Sequence, residues 1–133
     1  MKIIALAVAF SATTSFAQAQ SARVTGTAGY LSEWEFDGNL AQNGSDGKEF
    51  AGSVMWKHIG LCSVHGPEEK PGDMSIQISD SGRVPAIHAM LKFDGVGCKY
   101  TGAVSESSTG SMDCSNAKGI PLTLSITSNK MQN

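Results

Sequence analysis

Apolar side chains in this chain recur at every second position, stretch after stretch, and helical spacing is hard to find beyond the N-terminal segment. Side chains of a strand alternate between its two faces, so such a pattern buries one face of a sheet and wets the other. Tyr30, Trp34, Phe36 and Leu40 share one parity, while Glu33, Glu35, Asp37 and Asn39 share the other. That reads as a half-buried strand with a wet face. Asn43 to Gly47 is a turn, rich in residues that tolerate positive φ. Phe50, Val54 and Trp56 then line one face of a strand between Lys48 and Leu61, but Met55, Ile59 and Leu61 fall on the opposite parity. Burial on both sides, or a bulge near Lys57, accounts for such a switch.

Ser63 to Gly72 reads as the longest loop, punctuated by Gly66-Pro67 and Pro71-Gly72. Met74, Ile76 and Ile78 make the next strand, and Ile87, Ala89, Leu91 and Phe93 the one after, with turns at Asp80-Ser81-Gly82 and Asp94-Gly95. The last strand points Ile120, Leu122, Leu124 and Ile126 inward. Sequential strands joined by short turns favour an antiparallel meander. The expected fold is therefore all-β, with about six to eight strands in a small closed or partly closed barrel, and a sandwich as the alternative. An aromatic residue, a glycine two places on and an apolar residue two further recur at Phe36 to Leu40, Phe50 to Val54 and Tyr100 to Val104. Such a glycine leaves room for a neighbouring strand's large side chain and permits the coiling that closure requires.

Phe93 to Cys114 is the sharpest hairpin. With a turn at Ser105 to Ser107, Cys98 faces Cys114, Tyr100 faces Met112 and Gly102 faces Gly110. Directly opposed residues have Cα atoms ~4.5–5.5 Å apart, a separation that suits a disulfide. Cys62 competes for either partner, so the pairing stays open and one cysteine is left over.

The chain begins with Met1-Lys2, an apolar run from Ile3 to Phe10, and a small-x-small site at Ala17-Gln18-Ala19. Together these read as a secretory signal peptide over residues 1–19, cleaved after Ala17 or Ala19. The run is too short for a membrane span, which needs about 20 apolar residues. Residues 20–133 then form a single domain, exported to the periplasm or the medium, where a disulfide is stable. The formal net charge is −2 and the charges are scattered. Nucleic acid and anionic lipid both demand a concentrated basic face, so neither is an expected partner. A lipid-facing barrel wall is disfavoured as well, because it would be continuously apolar.

Chemistry-bearing motifs are sparse. Cys62 and His65 could share a metal or act as nucleophile and base, but the sequence supplies no second closely spaced pair of ligands. A structural cysteine beside a loop histidine is the simpler reading, and neither a metal nor a cofactor is expected. Glu33 and Glu35 share an evenly polar face, which solvation explains better than acid–base catalysis. Trp34, Trp56 and Tyr100 either line a ligand cavity or fill the core of a small barrel.

The run Gly60-Leu61-Cys62-Ser63 with Gly66 to Lys70, and Asp94 to Cys114 followed by Pro121 to Leu124, resembles small exported proteobacterial β proteins of unassigned function. The resemblance implies a periplasmic or secreted β protein and no activity. Lipocalins differ at a specific place: their first-strand Gly-x-Trp is missing, Gly29 and Trp34 being too far apart. Small barrel inhibitors of secreted metalloproteases are alike in size and export, with no shared motif. The expected function is thus a non-catalytic exported domain that binds a protein partner or small ligand. A protease inhibitor, using the mature N-terminus or the Ser63 to Gly72 loop, is the alternative. A thiol or metal enzyme at Cys62 and His65 is the further one.

Overall fold

The computed structural model describes residues 20–44, 46–60 and 64–128. The expected signal peptide and Leu61-Cys62-Ser63 lie outside the described residues. Eight strands follow one another: β1 (Ser21–Ala28), β2 (Trp34–Gln42), β3 (Glu49–His58), β4 (Glu68–Ser79), β5 (Ala86–Phe93), β6 (Val96–Ala103), β7 (Ser107–Cys114) and β8 (Ile120–Ser128). Each pairs antiparallel with the next, and β8 returns to pair with β1, closing the barrel. Closure leaves no free sheet edge. The meander and the barrel are as the alternation implied; the sandwich is not formed.

The inward parity is the expected one. Phe36, Leu40, Phe50, Val54 and Trp56 are buried, as are Met74, Ile76, Ile87, Ala89, Leu91, Leu122 and Leu124. Trp56 lies at the centre of an aromatic stack, 4.8 Å from the Phe36 ring and 4.5 Å from that of Phe93. Two of the three repeated glycines, Gly38 and Gly52, make room for the neighbouring strand as expected, whereas Gly102 makes room for Tyr100 of its own strand. A β-carbon at Gly38 would lie 2.6 Å from Val54 Cγ1, and one at Gly52 would lie 3.2 Å from Leu40 Cα.

Four local expectations are corrected. Tyr30 does not face inward from a strand; it is 73% exposed in the β1–β2 loop. Glu68 to Gly72 is strand, not loop, because the outer half of β3 needs a partner: His58 pairs with Glu68, Trp56 with Lys70 and Val54 with Gly72. Pro71 is tolerated there since the β4–β5 ladder starts only at Gly72, leaving β4 paired on one side. No bulge interrupts β3 near Lys57, whose register with β4 is continuous to His58; Met55 and Ile59 are simply exposed.

The fourth correction concerns the β6–β7 ladder. Cys98 does face Cys114 and Tyr100 faces Met112, but no pair joins Gly102 to Gly110. The Tyr100 side chain turns along the barrel interior, bonds Ser108 and fills the space that side chains at Gly102 and Gly110 would occupy. The strands part there, and β7 continues against β8, from Ser107 opposite Ser125. Val104 is left outside the strand and exposed. A disulfide joins Cys98 to Cys114.

β1 has no counterpart among the expected strands. Ala22, Val24 and Ala28 point inward and are buried, while Arg23 points outward to bond Asp37 of β2 at 2.6 Å.

Candidate functional site

The loops 29–33, 59–67, 94–95 and 115–119 all lie at one end of the barrel, because each joins an odd-numbered strand to the next even one. A cavity of about 370 Å³ opens at this end. Trp34, Phe93, Val96, Met112 and Ile120 form its walls, Trp56 lies at its base, and Tyr30, Glu33, Lys70 and Asp94 stand at its rim. Each of these positions follows from the fold. Trp34 is the first residue of β2, so its ring stands half-buried at the mouth, edge-on to His58 at 4.6 Å and 6.0 Å from Phe93. Trp56 is one inward step deeper and wholly buried. Its indole reaches over Gly72, where a β-carbon would lie 2.9 Å from Nε1. That Nε1 has no hydrogen-bond acceptor among the described residues, and neither does the buried Nδ1 of His58.

Lys70 sits where β4 runs past the end of β5. Its ammonium crosses that gap, 2.9 Å from Asp94 of the β5–β6 turn and 3.2 Å from Glu68. It also stands 5.7 Å from the centre of the Trp34 ring, a cation–π arrangement. Hydrogen bonds to Asp94 and then Glu68 raise its pKa above the ordinary lysine value. The Asp94-Gly95 turn has φ values of 51° and 75°, the left-handed pair that a two-residue hairpin needs.

Glu33 departs from its expected place on the wet face of β2. It lies in the loop before the strand and accepts a hydrogen bond from the Leu31 backbone N–H at 2.9 Å. Backbone N–H donors, its own and that of Leu31, hold its carboxyl below the ordinary range, so the rim carries a persistent negative charge. Gly29 makes this possible: its φ is 104°, and any β-carbon there would collide with the Glu33 carboxylate. The mouth thus carries Glu33 at its rim, apart from the Lys70 ammonium and the two carboxylates paired with it, Asp94 and Glu68.

Other openings are less elaborate. At the opposite end a cavity of about 440 Å³ is lined by Ala22, Phe50, Ile76, Ile78, Ile87 and Ile126, with Gln20, Ser105 and Glu106 at its edge. Two more open grooves, of about 780 Å³ and 800 Å³, run over the outer wall, one past Ala51, Asp73, Met90 and Lys99, the other past Thr25, Asp37, Met55 and Lys57. Among the described residues, of these openings only the aromatic mouth is lined by a residue with a buried side-chain polar atom that has no partner.

Among the residues singled out from sequence, Trp34 and Trp56 come together at this site. Tyr100 does not join them; it is core, bonded to Ser108. His65 is exposed in the 59–67 loop, and Cys62 lies outside the described residues. Among the described residues no group of three or more His, Cys, Asp or Glu could hold a metal ion. Lys70 and Asp94 had no place in the sequence reading, although extending the even parity of Met74, Ile76 and Ile78 back through Gly72 would have put Lys70 on the inner face.

Compared with protein-family models, with curated proteins and with solved structures, the chain matches none. The fold by itself defines the class: an eight-stranded up-and-down barrel with a packed interior and an aromatic mouth at one end.

Proposed function

We propose that this protein is an exported, non-catalytic barrel that binds a small ligand in the mouth ringed by Trp34, Phe93 and Lys70. The observation carrying this reading is the aromatic-walled cavity of about 370 Å³ with Trp56 at its base, an indole whose N–H has no acceptor among the described residues. Small-molecule sites are concave, of about 300–1,000 Å³, largely apolar, and equipped with a few polar groups that orient the ligand. A buried donor left unpaired costs about 1–3 kcal/mol, so an acceptor brought within reach of it is favoured.

The chain's two tryptophans, Trp34 and Trp56, both line this cavity, so tryptophan emission, excited apart from that of the tyrosines, reports on it. Titrating the mature protein with small compounds that join a ring or short apolar body to a polar group is expected to give a saturable change in emission. Trp34→Ala is expected to weaken it tenfold or more. Emission and melting temperature unmoved across the whole panel would sink the proposal.

Protease inhibition keeps one observation in its favour, the exposure of Val64 (98%) between β3 and β4. Its other proposed element is short: after cleavage at Ala19 only Gln20 would precede β1, and the Gln20 carbonyl accepts the Gln42 N–H at 2.9 Å. Inhibition of a secreted protease that disappears on shortening the 59–67 loop would establish this reading instead.

A further inference from the structure

Resting on the reading of the mouth as a ligand site, we infer that its ligand is a small organic cation, an ammonium on an apolar body, which takes the place over Trp34 now held by Lys70. The chain already seats an ammonium there. Lys70 Nζ stands 5.7 Å from the Trp34 ring centre, between Asp94 at 2.9 Å and Glu68 at 3.2 Å. Aromatic faces attract cations through the negative side of the ring quadrupole, most strongly when the cation is partly desolvated. Trp34, Trp56 and Phe93 supply three such rings around one cavity.

The charge balance favours the same choice. Lys70 offsets one of the three carboxylates, and Glu33 keeps its charge through the backbone N–H groups that bond it. An incoming carboxylate would face Glu33 at the rim and would have to displace Asp94 and Glu68 from Lys70. A neutral ligand would gain the rings and leave the charges unused. A cation gains both. Lys70 hangs from the part of β4 that runs beyond β5, so its side chain can swing outward without disturbing the ladder.

One phenyl body with three end groups separates the cases: 3-phenylpropylammonium, 3-phenylpropan-1-ol and 3-phenylpropionate, each titrated into the mature protein by tryptophan emission with melting temperature as a second readout. The ammonium is expected to bind at least tenfold more tightly than the alcohol, and the propionate more weakly still. Lys70→Met, which keeps most of the stem but takes away the resident ammonium and its like charge, is expected to tighten ammonium binding about fivefold, since unit charges at such distances interact appreciably even when partly solvated. Asp94→Asn is expected to weaken it severalfold, and serves as the deciding variant if Lys70→Met does not fold.

Alcohol or propionate binding as well as the ammonium would overturn the choice of a cation while leaving the mouth a ligand site. So would ammonium affinity that Lys70→Met leaves unchanged or weakens, or that Asp94→Asn fails to reduce. Absence of binding by all three probes would overturn the ligand-site reading and this inference together.

Discussion

Inside the barrel, Phe36 lies against the inner face of Gly26 on the neighbouring strand, so closely that a β-carbon there would overlap both the Phe36 ring and the Thr123 carbonyl oxygen. Gly97, on the outer side of β6, has nothing within 4 Å of the same position. The two glycines therefore predict opposite outcomes for one substitution. Gly26→Ala forces strands or rings apart and should lower stability by about 1–3 kcal/mol or more, the usual range for overpacking. Gly97→Ala should change it by no more than about 0.5–1 kcal/mol, in the stabilising direction, through the unfolded chain's lost freedom. Urea unfolding of the two variants side by side checks both. The aromatic-to-glycine spacing within a strand made Gly38 and Gly52 legible from sequence. Gly26 was not, because the ring that needs it belongs to another strand.

Between β6 and β7 only three residue pairs hold the ladder, and the Cys98–Cys114 bridge closes one of them. A bond spanning 16 residues restricts the unfolded chain by about 3 kcal/mol in the loop-entropy account. Replacing both cysteines by alanine is expected to cost roughly that much, read as a lower urea midpoint with a somewhat steeper slope, because the uncrosslinked chain expands further on unfolding. A non-reducing peptide map should recover the two cysteines on one linked fragment. At this scale the sequence was most informative where large side chains alternate. β5 and β8 could be read directly, and the cysteine register followed from one turn. β1 escaped notice because Ala22, Gly26 and Ala28 carry too little side chain to mark an inward face. The start of β4 was hidden by Pro71 and Gly72, which read as loop, yet a strand paired on one side accommodates proline and Trp56 needs the glycine. The rim of the site was the least legible part. Lys70 and Asp94 meet only because β4 overshoots β5, a mismatch of lengths that local patterns do not encode.

As a whole, the molecule depends on a single long-range step, the pairing of β8 with β1, since every other pairing joins neighbours in sequence. Pairings that close long loops form against the greatest entropic cost. A chain ending at Gly119 would lack β8 and bare the edges of both β1 and β7, with Leu122 and Leu124 missing from the core. Such a chain is expected to lose its cooperative thermal transition, bind a hydrophobic dye and associate through its open edges. A sharp melt from this truncated chain would show that closure is dispensable.

Because the strand count is even, the path that leaves at Ser21 comes home beside it at Ser128, on the side facing away from the Trp34 mouth. The two extremities of the barrel are therefore separate territories. A tag, a reporter or an immobilising support led off from Ser21 or Ser128 departs from the far pole, and the aromatic opening stays presented to solution. With Ala22 opposite Ser128, a short bridging peptide could also fuse the ends and let the chain start elsewhere, at the Asp80 to Pro85 loop for example, without approaching Trp34.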